Sequence, residues 1–451
     1  MTGMSLATRR LVMLCAVLGI VLAGLDGAIA NIALPTIARE LACSETATVW
    51  IVNAYQIAVA VCLLPAAALG ESIGIKRVYG FGMALFTAAS LGCAMAPSIG
   101  ALVSARVVQG IGGACMAALS GALVRSTQPR ETMHRAFATI ALAVAISAAI
   151  GPTLAAGILA VATWPWLFLI NVPIGVVAVP LFFRVTPMSA RRPQSFDVAG
   201  TLLNIGTLGL VVLGVDALGH GQHTLAMAEI AASLLCGACL YRQQRHRPAP
   251  LLPLDLLAIP LFSLSIATSI CAYAAQILAY VSLPFLFQNV MHRSAIATGL
   301  LVTPWPLLVA FAAPWAGRLA TRYPSSLLSS IGLGVLACGL LALALMPAQP
   351  AIADVIWRMA LSGIGFGFYQ TPNNLTVMTA GPAMRSGAAS GMLAVARTMG
   401  WSFGSALVVV MFGLSSGSGG AIDCLYLAVA FALSGAILSA SRGAIRHERG
   451  A

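Results

Sequence analysis

The sequence predicts an all-α membrane protein with fourteen spanning helices, two bundles of six with two inserted helices between them. Three observations predict it. The chain of 451 residues is 60% hydrophobic and only 8% charged, with a mean hydropathy of +0.95, whereas a soluble domain carries about 25% charged residues. Long apolar runs fill nearly the whole length, and about 20 apolar residues suffice for a helix to cross the hydrocarbon core. The loops between the runs are short and basic. Helices are the element expected, because each must satisfy its own backbone groups within lipid.

The first span covers 11–34. It opens with fifteen residues free of charge, followed by Asp26, apolar residues around Asn31, and Leu34-Pro35. At about 1.5 Å per residue it reaches about 36 Å, enough to cross with some tilt. Arg9-Arg10 ahead of this run imitates a secretory signal, but the run is too long for one and cleavage at Ala28-Ile29-Ala30 would discard Asp26. The second span, 49–69, carries Asn53 and Gln56 on one face; the third is 77–96 and the fourth, 99–124, holds Arg106. Gly151-Pro152 interrupts the fifth, 136–160, where a missing backbone donor predicts a kink or hinge. The sixth is 164–183.

Spans seven and eight, 198–218 and 224–241, are bracketed by the two longest basic loops, 184–197 and 242–255. That bracketing predicts a first bundle over 1–190, an inserted pair over 191–255 and a second bundle over 256–451. Cys236 and Cys239 fall inside the eighth span, so small-residue packing explains them better than metal or redox chemistry. The ninth span, 261–287, presents Tyr273, Gln276 and Tyr280 on one face; the tenth and eleventh are 296–317 and 325–346. The twelfth, 351–377, carries Asp354 and Arg358 four residues apart, spaced for a local ion pair, and then Gln370, Asn373 and Asn374. The thirteenth, 388–414, holds Arg397 with no acid in its own span, and the fourteenth is 422–441.

Charge sets the orientation. Of 24 Lys and Arg residues, 19 fall on one side, among them Arg9, Arg10, Arg130, Arg191, Arg192, Arg247, Arg385, Arg442 and Arg449. Arg39 and Arg293 fall on the other side, and Arg106, Arg358 and Arg397 lie within spans. Basic loops stay cytoplasmic, so both termini are predicted inside, and the net charge of +12 requires no nucleic-acid partner. There is no phosphate-cradling Gly-x-x-x-x-Gly-Lys loop, and the six His residues lack metal spacing. No metal, no cofactor and no enzymatic activity are expected.

A weak repeat joins the two bundles. Arg106-Val-Val-Gln-Gly110-Ile-Gly112 is echoed by Arg358-Met-Ala-Leu-Ser-Gly363-Ile-Gly365. The segment 67–74 is echoed by 317–324, again offset by about 250 residues, as parallel repeats of transporter halves would be.

Asp26 is the organising residue. A carboxylate at the centre of a spanning helix costs about 2.5–3.5 kcal/mol on insertion scales, which makes it a functional candidate by default. Arg106 lies at similar depth and needs a partner, and Asp26 is the best-placed acid for it. Gln109 and backbone carbonyls are the structural alternative for Arg106. An opposite charge favours the ionised carboxylate, whereas loss of water favours the protonated one. A movement that separates the pair would thus let Asp26 take up a proton.

Leu25-Asp26-Gly-Ala-Ile-Ala-Asn31-Ile-Ala-Leu-Pro35 resembles the first-helix signature of the major facilitator superfamily's drug:proton antiporters with fourteen spans. Further similar segments are Arg106-x-x-Gln109-Gly110, Gly151-Pro152, Trp164-Pro-Trp166-Leu-Phe-Leu-Ile-Asn171-Val-Pro173-Ile-Gly175 and Asp197-Val-Ala-Gly200. In the second half they are Gln288 with Gly299 and Pro304, and Gly387-Ala-Ala-Ser390-Gly391 with Arg397 and Gly400. The resemblance implies a major facilitator fold, proton coupling at Asp26 and Arg106, an inner gate at Glu71, Gly74, Lys76 and Arg77, and a hinge at Gly151 and Pro152. The chain departs from the family pattern at Ala67, Glu71, Ser72 and Ile75 in the gate loop, and at Ser147, Ala155 and Ala156 in the fifth span.

Together these readings predict a monomeric proton-coupled antiporter in the cytoplasmic membrane, driven by the proton gradient and exporting amphipathic, preferentially cationic compounds by alternating access. Its partners would be small molecules, protons and lipid. Asn31, Asn53, Gln56, Tyr273, Gln276, Tyr280, Gln370, Asn373 and Asn374 are its substrate-cavity candidates, with Asp354, Arg358 and Arg397 as second-half charges. The cation preference requires that Arg106 be neutralised or turned away. The rivals are a dedicated metabolite or nutrient carrier on the same scaffold, and a non-transporting receptor or assembly protein.

Overall fold

The computed structural model describes residues 5–129, 132–188, 197–219, 221–245, 253–347, 349–382, 386–415 and 418–448. Arg130, Arg191, Arg192, His220, His246, Arg247, Arg385 and Arg449 lie outside these residues, as do parts of the loops expected to bracket the inserted pair. Among the described residues all regular structure is helical. The helices are α1 (Leu6–Glu40), α2 (Glu45–Ile73), α3 (Ile75–Ala94), α4 (Ile99–Thr127), α5 (Met133–Val161), α6 (Trp166–Leu169), α7 (Asn171–Val185), α8 (Val198–Gly219) and α9 (His223–Gln244). They continue as α10 (Leu254–Leu257), α11 (Pro260–Phe285) with a π-helical turn (Leu286–Val290), α12 (Ala295–Val302), α13 (Pro304–Leu319), α14 (Ser325–Ala344), α15 (Ile352–Thr379), α16 (Ser386–Leu414) and α17 (Ser418–Glu448).

Serines begin several of these helices. Ser5, Ser44, Ser98 and Ser294 accept from the backbone N–H three residues on, at 3.1, 3.2, 3.3 and 3.1 Å, satisfying a donor that no helical carbonyl can reach. Twelve segments among the described residues are long and apolar enough to cross a membrane. Helices α3 and α15 coincide with the spans expected at 77–96 and 351–377 but are not among the twelve. Lys76 and Arg77 open α3, and α15 carries Asp354, Arg358, Gln370, Asn373 and Asn374, which lowers the hydropathy of both.

Three boundaries differ from expectation. Helix α1 continues through Pro35 to Glu40, 35 residues in all. The sixth and tenth expected spans are each broken once, into α6–α7 and α12–α13. Arg442, expected among the cytoplasmic loop residues, is instead 1% exposed within α17.

The chain forms two compact units, Met1–Ile205 and Gly206–Ala451. In the first, α4 packs on α2 and α3, and α1 packs on α5 and α7. In the second, α15 packs on α13 and α14, and α11 packs on α16 and α17. The weak sequence repeat is real in three dimensions. A Cβ on Gly112 would meet the Gly82 carbonyl oxygen at 2.6 Å, and one on Gly365 would meet that of Gly332 at 2.7 Å. Gly110 lies against the Tyr55 carbonyl and Gly363 against that of Trp305. Each glycine pair therefore lets one helix touch two neighbours at backbone distance, and all these contacts shift by about 250 residues between units.

Candidate functional site

The charged centre of the first unit is assembled by five helices. Asp26 of α1 and Arg106 of α4 form an ion pair through Oδ2 and Nη1, and each is 1% exposed. The Arg106 Nη1 also donates to Gln109 Oε1 at 2.6 Å, and its Nε donates to the Ile51 carbonyl of α2 at 2.9 Å. The second carboxylate oxygen, Oδ1, accepts from Gln109 Nε2 at 2.8 Å and from Asn171 Nδ2 of α7 at 3.1 Å. Gln109 Nε2 reaches on to Ser90 Oγ of α3 at 2.9 Å. Beside the guanidinium lie the Tyr55 ring, with its centroid 4.4 Å from Cζ, and the Phe168 ring at 5.6 Å.

This arrangement compensates an expensive burial. Two isolated ions in an apolar core would be strongly disfavoured, but here charges cancel and further hydrogen bonds occupy the second carboxylate oxygen and the guanidinium Nε, while Asn171 Oδ1 stays unpartnered. The carboxylate accepts from three side chains, Arg106, Gln109 and Asn171, so both of its oxygens are occupied. Both expected partnerships of Arg106 occur together, with Asp26 and with Gln109 plus a carbonyl.

Packing of α5 against α1 sets where Asp26 sits. Gly151 abuts the Ala28 Cβ, two residues past the carboxylate, and Gly24 faces the Ser147 Cβ at 2.9 Å from where its own Cβ would be. Ser147 stands where the family pattern has glycine, and Gly24 supplies the room instead. Helix α5 runs unbroken through Pro152.

The residues expected to form an inner gate lie at the α2–α3 junction. Gly74 adopts φ +105°, a backbone region that L side chains rarely enter, and its carbonyl accepts from Arg77 N at 3.2 Å. Glu71 and Arg77 are exposed and Lys76 is half-buried.

In the second unit the cavity candidates separate into groups. Tyr273 accepts from Gln370 Nε2 at 3.0 Å and is flanked edge-on by Phe366, Tyr369 and Trp401 at 5.5, 6.4 and 5.6 Å. Gln276 accepts from Trp401 Nε1 at 3.1 Å. Arg397 rests over the Trp401 ring at 5.5 Å, and its Nε is buried without a hydrogen-bond partner. Asn373 belongs elsewhere: with Ser265 and Ser439 it holds the buried Arg442, whose Nη1 donates to Asn373 Oδ1 at 2.7 Å and to Ser265 Oγ at 2.8 Å. Tyr280 meets Trp305 edge-on, with ring centroids 5.0 Å apart. Arg358 pairs with Asp354 at 3.0 Å, the local i,i+4 bridge its spacing predicts, and also donates to the Ala342 carbonyl.

Of the first-unit candidates, Asn53 is fully buried with both amide atoms unpartnered, Asn31 has an unpartnered Oδ1, and Gln56 is 7% exposed. Asn374 Oδ1 is likewise unpartnered. Sequence reasoning missed Asn171 and Ser90 as partners of the charged centre, Trp401 as the link between Gln276 and Arg397, and Glu229, an acid inside α9 with a buried, unpartnered Oε2. Glu229 carried the same signal as Asp26, an ionisable residue in an apolar run. Among the described residues no group of three His, Cys, Asp or Glu side chains is placed to hold a metal.

A model described as Major Facilitator Superfamily matches residues 16–405. An uncharacterised transporter of Escherichia coli strain K12, YebQ, is 45% identical over 430 residues, 95% of this chain and 94% of that protein. The riboflavin transporter RibZ of Clostridioides difficile is 27% identical over 90% of this chain and 88% of its own length. The multidrug resistance protein Stp of Mycobacterium tuberculosis is 32% identical over 89% of this chain and 75% of its own. A crystal structure of a POT family transporter in complex with 5-aminolevulinic acid superposes with a TM-score of 0.71 at 15% identity, covering 96% of each chain; that likeness concerns the fold.

Proposed function

The chain belongs to the Major Facilitator Superfamily, a multi-pass membrane transporter and not an enzyme, and from that premise we propose that it is a proton-coupled antiporter exporting amphipathic compounds. In this reading it has fourteen spans, lies in the cytoplasmic membrane with both termini inside, works as a monomer, and uses the proton gradient with no cofactor. The observation that carries it is the enclosed Asp26–Arg106 pair with Gln109 and Asn171 bound to the carboxylate.

The chemistry follows from the pair. While Arg106, Gln109 and Asn171 hold the carboxylate, both of its oxygens are occupied and it is closed to substrate and solvent. A rearrangement that draws α1 away from α4 removes the guanidinium and the carboxylate binds a proton, since a lone anion in an apolar interior is disfavoured. Each charge carried across the membrane couples to about 2.3 kcal/mol per 100 mV, and alternating access converts that into substrate movement. The cation preference expected from the sequence required a carboxylate facing substrate; here Arg106 occupies it, so the proposal is for amphipathic compounds without that preference.

Export of toxic compounds is supported by the likeness to Stp, and a dedicated metabolite carrier is the second reading, supported by the likeness to RibZ. Growth of a sensitive strain against a broad panel of toxic compounds, with the intact chain beside Asp26→Asn, separates them. Raised tolerance to several unrelated compounds, lost in Asp26→Asn, supports the exporter. Unchanged tolerance throughout, with saturable exchange of a single metabolite, supports the carrier.

A further inference from the structure

Among the described residues four arginines lie within helices of the interior, and they differ in how their charge is met. Arg106 and Arg358 have carboxylates, Asp26 and Asp354. Arg442 is enclosed by Ser265, Ser439 and Asn373. Arg397 has only the face of Trp401, and its Nε, buried, donates to nothing among the described residues. Among the described residues the helices packed around it offer no free carboxylate: α11 and α16 contain none, Asp354 of α15 is committed to Arg358, and Asp423 at the start of α17 is bound by Ser415 near the far end of α16. Counting residues from the start of α16 places Arg397 about 16 Å along the helix, far from either end of a 29-residue element. A guanidinium at that depth with no anion is incomplete, because its planar fork of donors is shaped for a carboxylate.

Its surroundings say what kind of anion fits. Tyr273 and Trp401 stand edge to face at 5.6 Å, and the Gln370 and Gln276 amides are bound to them at 3.0 and 3.1 Å. Trp401, Gln370 and Arg397 are each half-buried, so part of each remains open to a ligand. We propose that Arg397, the Tyr273–Trp401 ring pair and the Gln276 and Gln370 amides form a substrate subsite for a planar aromatic group bearing a carboxylate. The acid binds the guanidinium, the ring packs against the aromatic pair, and the amides hydrogen-bond polar ring substituents. Cations are repelled by the uncompensated charge. Outward movement of an anion and inward movement of a proton both run down an inside-negative potential, so the subsite suits the proton exchange on which this assignment of substrate class rests.

Binding and transport are measured separately. Purified protein is titrated by calorimetry with naphthalene-2-carboxylate, its primary amide, and tetraphenylphosphonium. The carboxylate is expected to bind at least tenfold more tightly than the amide. In Arg397→Gln that ratio collapses to within twofold while amide affinity holds, and Arg397→Lys restores part of it. Equal affinity for acid and amide, preference for the phosphonium, or equal weakening of both neutral and acidic ligands in Arg397→Gln overturns the subsite. Everted vesicles test the underlying reading: proton-driven uptake of any of the three probes with no charge preference in binding leaves the antiporter standing and removes the subsite. Charge-selective binding without any response to a proton gradient leaves the subsite and removes proton coupling.

Discussion

Asp26 shows how far one residue can be read from sequence. Its isolation in an apolar run marked it, and the matching depth of Arg106 named its partner; the pair occurs as expected. Asn171 and Ser90 were not legible as partners, because their approach depends on how α7 and α3 pack against α1 and α4, which no local pattern encodes. The same network makes a stability prediction. Asp26→Asn strands a buried guanidinium and is expected to cost about 3–5 kcal/mol, read as a lowered Tm in detergent. The double variant Asp26→Asn/Arg106→Gln removes both charges and should recover most of that loss. A double variant no more stable than Asp26→Asn would show that the charges are not each other's partner in the folded protein.

At the scale of elements, the glycine repeat was legible as a faint echo and its purpose was not. Gly112 and Gly365 allow α4 and α15 to meet α3 and α14 at backbone distance. A Cβ at Gly112 would stand 2.6 Å from the Gly82 oxygen and 2.7 Å from Phe86 N, and neither backbone atom can yield. Gly112→Ala and Gly365→Ala should each cost about 1–3 kcal/mol as overpacking, whereas at Gly334 an added Cβ meets nothing within 4 Å and Gly334→Ala should be near neutral. Equal thermal stability of all three variants would contradict the packing. Helix ends were less legible: the first span was expected over 11–34, yet α1 runs from Leu6 to Glu40, and α17 carries Arg442 into the interior. The gate loop yields a further prediction. Replacing the exposed Glu71 by Gln should shift the population toward the inward-open state by about 1–3 kcal/mol, the usual size of a coupling free energy. Unaltered labelling of cysteines on the cytoplasmic side in Glu71→Gln would remove the gate assignment.

The whole molecule is a repeat whose two copies have diverged in charge. An offset of 250 residues, the one that relates Gly82 to Gly332 and Tyr55 to Trp305, carries Asp26 onto Gln276. The first unit thus keeps a neutralised ion pair and the second keeps a neutral amide beside an uncompensated arginine. Fold class was legible because composition and run length report lipid directly, whereas the orientation read from the basic residues on one side is a prediction to be tested. The helix α9, with 22 residues or about 33 Å of rise, offers the cleanest check of that orientation. In a background lacking native cysteines, Gln222→Cys before α9 should label from outside intact cells and Arg245→Cys after it should not; the reverse pattern would invert the topology.

Proton coupling through Asp26 is measured in reconstituted liposomes. Purified intact protein and Asp26→Asn are compared for substrate accumulation under an imposed pH gradient and for substrate–substrate exchange without one. Asp26→Asn is expected to retain exchange and to lose gradient-driven accumulation altogether. Accumulation of normal size by a well-reconstituted Asp26→Asn protein would contradict the account and send the proton elsewhere, with Glu229 and Asp354 next to be replaced.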